Sequence, residues 1–336
     1  MKRTFWSVVA ALAMFAAPAK GQDQAPLKLV QTIKLPADVK GNFDHFAIDL
    51  ATNRLFATPE AYKAVLVFDL NSAKLIHKIT GIEKPHAILF REDLKRLYVT
   101  DGEAGDVKIV DSDTYKILSS VKLLEDSDSI GYDPVTKLLY VDNGGGDVHQ
   151  TYSMLSVVDT AAGTKVTDIK VDGDTLEAMI LDKSSPRIFL NNKDKSRVDV
   201  IDREKRTLLA SWPITLAKTN VAMAYDEANH RLFIACRSGG IVVMDSQTGK
   251  ELTVLPITKN VDDAVFDPAH KRLYASCDGD ISVYGQSSPD SYKLLGKVPT
   301  GPMARTALLV PQLDRYFVAV PQHGISNAEI QVFAVQ

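Results

Sequence analysis

Two cysteines among 336 residues are too few for a disulfide framework. Positive charge is not in excess either. The 39 Lys and Arg face 42 Asp and Glu, a formal charge of −3, so the electrostatic footprint of a nucleic-acid binder is missing. Beyond the N-terminal stretch, no apolar run has transmembrane length. Tryptophan occurs twice, at Trp6 and Trp212, and neither suggests an aromatic ligand cage. There is no Gly-x-Ser-x-Gly elbow and no His-Glu-x-x-His zinc motif. Gly144-Gly145-Gly146 joins two strand-like runs and opens no helix, so it is not a phosphate-binding loop. No nucleotide or flavin cofactor is expected. What remains is an ordinary globular composition, 45% apolar and 24% charged.

The first residues carry an address. Lys2 and Arg3 precede a mostly apolar stretch from Phe5 to Ala17, and small residues follow at Ala17-Pro18-Ala19 and Ala19-Lys20-Gly21. This is the layout of a secretory signal peptide over residues 1–21. The apolar run is too short for an ordinary membrane span. Cleavage after Gly21 takes the formal charge from −3 to −6. The mature protein is expected to be periplasmic or secreted, without a membrane span.

The rest of the chain is a repeat. A basic residue followed by apolar and aromatic residues recurs at Arg54-Leu55-Phe56, Arg96-Leu97-Tyr98, Lys137-Leu138-Leu139, Arg187-Ile188-Phe189, Arg231-Leu232-Phe233, Arg272-Leu273-Tyr274 and Arg315-Tyr316-Phe317. Upstream of most copies lies a turn aspartate: Asp49, Asp133, Asp182, Asp226 or Asp267. Downstream comes a β-branched run ending in aspartate, such as Val65 to Asp69 or Val107 to Asp111. Each unit reads as four short strands joined by tight turns, and helical periodicity is weak. Seven such units of about 40–45 residues predict an all-β, seven-bladed β-propeller over residues 22–336. The last unit holds only three strands. The spare segment Leu27 to Leu35 is expected to complete it and close the ring. Cys236 and Cys277 occupy the same register in adjacent blades, too far apart for a disulfide, and predict two buried free thiols.

Segments such as Arg96-Leu97-Tyr98-Val99-Thr100 and Val107 to Asp111 carry a family likeness. The repeats resemble the YVTN-type, YncE-like β-propellers of bacterial exported proteins, over nearly the whole mature chain. The resemblance implies the fold. It implies no chemistry, because propellers host many unrelated activities.

In a propeller the first strand of each blade lines the central channel. Five positions before the turn aspartate, or its equivalent, stand Asp44, His86, Asp128, Glu177, Val221, Asp262 and Arg305. Six of these seven are ionisable, which hydrophobic packing would not select. Beside them lie His45, Ser127, Ser129, Asn220, Asp263 and Thr306. Carboxylates about 8 Å apart at an effective dielectric of about 20 repel by roughly 2 kcal/mol per pair. Such a ring calls for a cation, partial protonation or positive neighbours. Asp, Glu and Asn oxygens suit Ca²⁺, Mg²⁺ or Mn²⁺, and the histidines admit Zn²⁺. One divalent metal ion is the only cofactor expected. The same residue types also cap turns by bonding backbone groups, the purely structural reading of the column.

A second resemblance concerns the metal. The segment Asn220-Val221-Ala222-Met223-Ala224-Tyr225-Asp226 looks like the strand that opens with a metal-binding asparagine in gluconolactonase-type propellers. That likeness implies a metal set of Glu177, Asn220 and Asp262 (or Asp263). Glu177, however, stands in the blade before Asn220, not in the first blade as in the lactonases. Two loops are expected over the same mouth. One is the glycine-rich insertion Asn143 to Tyr152, with His149 and Tyr152; the other is Gln322-His323-Gly324. Arg237 occupies the equivalent loop of the fifth blade.

Three functional readings stay open. The leading one is a binding protein for a small ligand, metal or partner, using Asp44, His86, Asp128, His149, Asp263, Arg305 and His323. The second is a lactonase-type metal-dependent hydrolase or lyase. There Glu177, Asn220 and Asp262 would hold the metal, Arg305 would steady an oxyanion, and His45 or His86 would move the proton. The third is a protein-interaction scaffold, which would need no ionisable ring. A monomer is expected.

Overall fold

The strand segments pair as their patterning directs. In the computed structural model, residues 25–336 are described, and the expected signal peptide lies outside the described residues. Seven four-stranded antiparallel sheets form the blades of a propeller. The innermost strands are Phe43–Asp49, Pro85–Arg91, Ile130–Asp133, Leu176–Leu181, Asn220–Asp226, Asp263–Asp267 and Thr306–Val310, for blades 1 to 7 in chain order. The closure is as expected. Leu27–Lys34 pairs antiparallel with Glu329–Val335 as the outermost strand of blade 7, with Leu27 opposite Val335 and Lys34 opposite Glu329.

Burial explains the sequence pattern blade by blade. Middle strands are covered on both faces, so they read as near-continuous apolar runs: every residue of Arg54–Pro59 is buried. Outermost strands face solvent and mix exposed with half-buried positions, as in Lys74–Thr80. Seven apolar clusters lie among the described residues, one in each gap between neighbouring blades. Phe56, Val65 and Val67 of blade 1 meet Ile88, Leu97 and Val99 of blade 2. Phe317 and Ile330 of blade 7 meet Phe46 and Leu55 of blade 1. Each fully buried Leu or Phe contributes about 1.5–3 kcal/mol. Stability thus resides between blades, and the axis is left free for a channel. Cys236 sits in the gap between blades 4 and 5 and Cys277 between 5 and 6, both buried free thiols. Burial pushes each thiol up to about 12.

One register differs from the sequence reading. Lys137 stands in the turn at φ 63°, and Leu138 takes the strand position opposite Asp133. Lys137 thus fills the left-handed position that Asn53, Lys95, His230, Lys271 and Asp314 hold in other blades, and Leu138 stands where those blades carry their arginine.

Candidate functional site

The inner strands do not run straight into the channel mouth. Four of them slip register at their start. Pairing jumps from Phe43 to Phe46, Pro85 to Ile88, Leu176 to Met179 and Asn220 to Ala222. The skipped residues include Asp44, His45, His86, Glu177 and Val221. A bulge re-aims side chains out of the pleat, and here it turns them toward the axis. Hydroxyls of the second strand stabilise the slip: Thr58 Oγ1 accepts from the His45 amide at 2.7 Å, and Thr100 Oγ1 from the Ala87 amide at 2.8 Å.

All seven column positions line one cavity of about 230 Å³ at the mouth. His45, Ser129 and Asp263 join them, as do Asn42, Glu60 and Arg237. The lining carries six carboxylates against two histidines and two arginines.

The charges sort into two groups. On one side Asp44 is held between two imidazoles: its Oδ1 lies 2.6 Å from His45 Nδ1, and its Oδ2 meets His86 Nδ1. Asp128 Oδ1 stands 3.6 Å from the same His86 nitrogen. Gly102 makes room for that ring, since a Cβ there would lie 2.7 Å from His86 Cδ2. On the other side Asp262 receives two guanidiniums, Arg305 Nε at 3.2 Å and Arg237 Nη2. Glu177 is paired with Lys193. The Ala307 amide donates to Asp263 Oδ2 at 2.7 Å.

Burial and charge pull these groups apart in acidity. Burial opposes ionisation of Asp44, but His45 and His86 outweigh it and hold the carboxyl well below the usual range. Burial likewise opposes charge on both imidazoles. Asp44 nevertheless pushes His45 up to about 10, and Asp128 with Asp44 pushes His86 up to about 9. Asp128 goes the other way, up to about 7, through burial and the charge of Asp44. Burial lifts Asp263 to about 7 as well, offset only in part by His45. Glu177 and Glu60 are raised by burial too, Glu177 against the pull of Lys193. The mouth therefore combines a fixed anion, two imidazolium ions and two acids that exchange protons near neutrality.

Asp44, His86 and Asp128 form the one group among the described residues with metal-holding geometry, their ligand atoms all within 4.8 Å of one another. Of Glu177, Asn220 and Asp262, the first and last line the cavity and Asn220 does not. The Asn220 amide donates to Asn191 Oδ1 at 3.0 Å and to the Arg197 carbonyl at 3.2 Å, and its side chain is outside the cavity lining. Asn220 is buried there as a tie between blades 4 and 5, while Glu177 and Asp262 are taken up by Lys193 and the arginines.

Neither loop histidine lines the cavity. The glycine-rich insertion winds into a short 3₁₀ turn, Gly145–Val148, packed against blade 4; a Cβ on Gly145 would lie 2.2 Å from the Asp174 carbonyl oxygen. His149 ends that turn, exposed, and Tyr152 lies beneath Lys170 Nζ. His323 Nδ1 turns back to the Pro321 carbonyl at 3.0 Å.

Glu60 and Lys193 were missed from the sequence, although a signal existed. Six residues after the repeat's basic position, or after Leu138 in the third unit, stand Glu60, Gly102, Gly144, Lys193, Arg237, Asp278 and Pro321. Glu60 and Arg237 of this second column line the cavity, Lys193 pairs with Glu177, and Gly102 is the glycine that accommodates His86.

No protein-family profile matches the chain. Among curated proteins, the uncharacterized protein YncE of Salmonella typhimurium is 30% identical over 120 residues, covering 35% of this chain and 34% of that protein. The YncE of Salmonella typhi is 29% identical over the same length. The chain thus matches about a third of the length of these relatives. Among solved structures, a chain of the mitotic checkpoint complex superposes with a TM-score of 0.73 at 11% identity, over 100% of this chain and 99% of that one. A chain of Kuenenia stuttgartiensis hydrazine synthase gives 0.74 at 17% identity, over 90% and 98%. At such identities the likeness is one of fold alone.

Proposed function

We propose, for a chain that fits a YncE-like β-propeller family, that it is an exported small-ligand-binding protein whose channel mouth holds a divalent metal ion between Asp44, His86 and Asp128. The convergence of those three ligand atoms within 4.8 Å carries the reading. The six carboxylates against four basic groups in the lining support it, because the cavity is short of positive charge. Two carboxylates with an imidazole suit Mn²⁺ or Zn²⁺ better than Ca²⁺, which prefers an all-oxygen shell. The ion would present an open coordination position to a ligand entering the mouth. Arg237 and Arg305 stand across the cavity to meet an anionic group on that ligand. Export rests on the N-terminal layout of Lys2, Arg3 and the apolar run to Ala17.

The test is metal content by plasma mass spectrometry on protein purified without chelator, followed by calorimetric titration with Mn²⁺ and Zn²⁺. About one ion per chain is expected, lost in Asp44→Ala and Asp128→Ala and kept in Glu177→Ala. Wild-type protein that is metal-free and takes up neither ion overturns the reading. Export predicts a mature N-terminus near Gln22 in the exported fraction, and full-length protein retained inside the cell would refute it.

A further inference from the structure

A second cavity of about 600 Å³ lies at the other end of the inner strands of blades 4, 5 and 6. Its wall is apolar, with Ile180, Leu181, Val265 and Phe266, and Lys183, Asp226 and Glu227 stand at its edge. Met223 and Ala264 line this cavity and the polar one at the mouth alike. The two spaces therefore share a border, the neck, at these residues of blades 5 and 6. The side chains beside it are small: Ala178 and Ala222 line the polar cavity, and Ala224 the apolar one. Ala264, Val265 and Phe266 are only half-buried, so an apolar wall faces the open channel. Leaving such surface wet costs about 25 cal/mol per Å², a cost that an apolar ligand removes. The mouth, at about 230 Å³, has room for a polar head and little more, whereas about 600 Å³ is within the range of small-molecule sites.

We propose that the ligand of this propeller is amphipathic: a carboxylate head at the Asp44–His86–Asp128 mouth, facing Arg237 and Arg305, and an aliphatic tail passing Met223 and Ala264 into the apolar cavity. The proposal rests on the mouth reading above and adds the chemical class of ligand. The head needs an anion because Arg237 and Arg305 share the single carboxylate of Asp262 and keep one positive charge in excess between them. The tail needs no hydrogen-bond partner, because the lower wall is almost wholly hydrocarbon.

The probes are octanoate and acetate, titrated calorimetrically into Mn²⁺-loaded protein. Octanoate is expected to bind at least about tenfold tighter than acetate, by burial of its extra methylenes. Ala264→Leu narrows the neck and is expected to remove that advantage, read as the ratio of octanoate to acetate affinity. Phe266→Ala, which takes away apolar wall remote from the mouth, is expected to weaken octanoate severalfold and acetate not at all. This second variant decides the matter if Ala264→Leu fails to fold. Equal affinity for the two acids overturns the proposal, as does octanoate binding indifferent to both substitutions. Octanoate binding lost in Lys183→Ala but unaffected by chelator also overturns it, since the head would then sit at the wrong end. Failure of Mn²⁺ to bind is a separate result. It removes the metal and leaves the octanoate–acetate comparison on the metal-free protein to decide the tail.

Discussion

Aspartates gather at both ends of the propeller's inner strands, and the two ends treat the same side chain in opposite ways. At the far end Asp182 is fully buried, yet its oxygens accept from the Ser184 amide and hydroxyl, the Ser185 hydroxyl and Arg187, all at 2.6–3.2 Å. Asp49 repeats the arrangement with Ala51, Thr52 and Arg54. Burial opposes ionisation at both, but the donors outweigh it and hold each carboxyl below its usual range. At the mouth, Asp128 and Asp263 are raised to about 7 instead. One aspartate set is satisfied by its own turn. The other is gathered at the channel mouth and left short of donors, a state that folding alone does not favour.

Substitution separates the two sets. Asp182→Ala leaves Arg187 without its partner in a mostly buried turn and is expected to cost about 3–5 kcal/mol in chemical denaturation. A loss under about 1 kcal/mol would erase the contrast between the two ends. The pH profile of metal-free protein is the next largest effect. The lowered turn carboxylates contribute stability above about pH 4 and lose it as pH falls further. Asp128 and Asp263 take up protons on folding, so stability falls as pH rises from about 4 to 7. His45 and His86 contribute fully below about 6.5 and lose that contribution through 9 to 10. Stability, and with it the melting temperature, should therefore peak near pH 4–5 and decline toward pH 10. A flat profile from 5 to 9 would count against the crowded mouth. The smallest effect is Asp128→Asn, expected to stabilise metal-free protein by about 1 kcal/mol at pH 8 and by nothing at pH 4. Destabilisation at pH 8 would make Asp128 a structural cap like Asp182.

The ring and its column were legible because the repeat has a fixed pitch. Turn aspartate, strand and basic residue recur in step, so counting back five residues found every column position in the cavity lining. His45 and Asp263 were reachable as neighbours, although the bulge that swings His45 inward leaves no mark in composition. Counting failed where the chain departs from the repeat. Insertion length said nothing of direction, and Gly145, pressed against the Asp174 carbonyl, folds the His149 loop away from the mouth. Asn220 shows the limit of likeness. The residue type matched a metal ligand, but Asn191 and a carbonyl of the neighbouring blade hold its amide nitrogen, and the side chain stays outside the cavity lining. The apolar cavity was invisible for a further reason. Met223 and Ala264 read as ordinary strand residues, and only the ring places them at one neck.

The pairing of Leu27 with Val335 makes the seventh blade a clasp fastened from both ends of the chain. Its outermost strand is the earliest among the described residues and its neighbour the last, so the circle stays an open arc until Glu329–Val335 has been made. An open arc exposes the faces that later become the gaps on either side of blade 7, including Phe317 and Tyr316. Fastening such a clasp closes a loop of some three hundred residues, a step whose entropic cost grows only slowly with length but must be met at once. Losing a few residues from either tail would therefore act on the whole circle rather than on one strand.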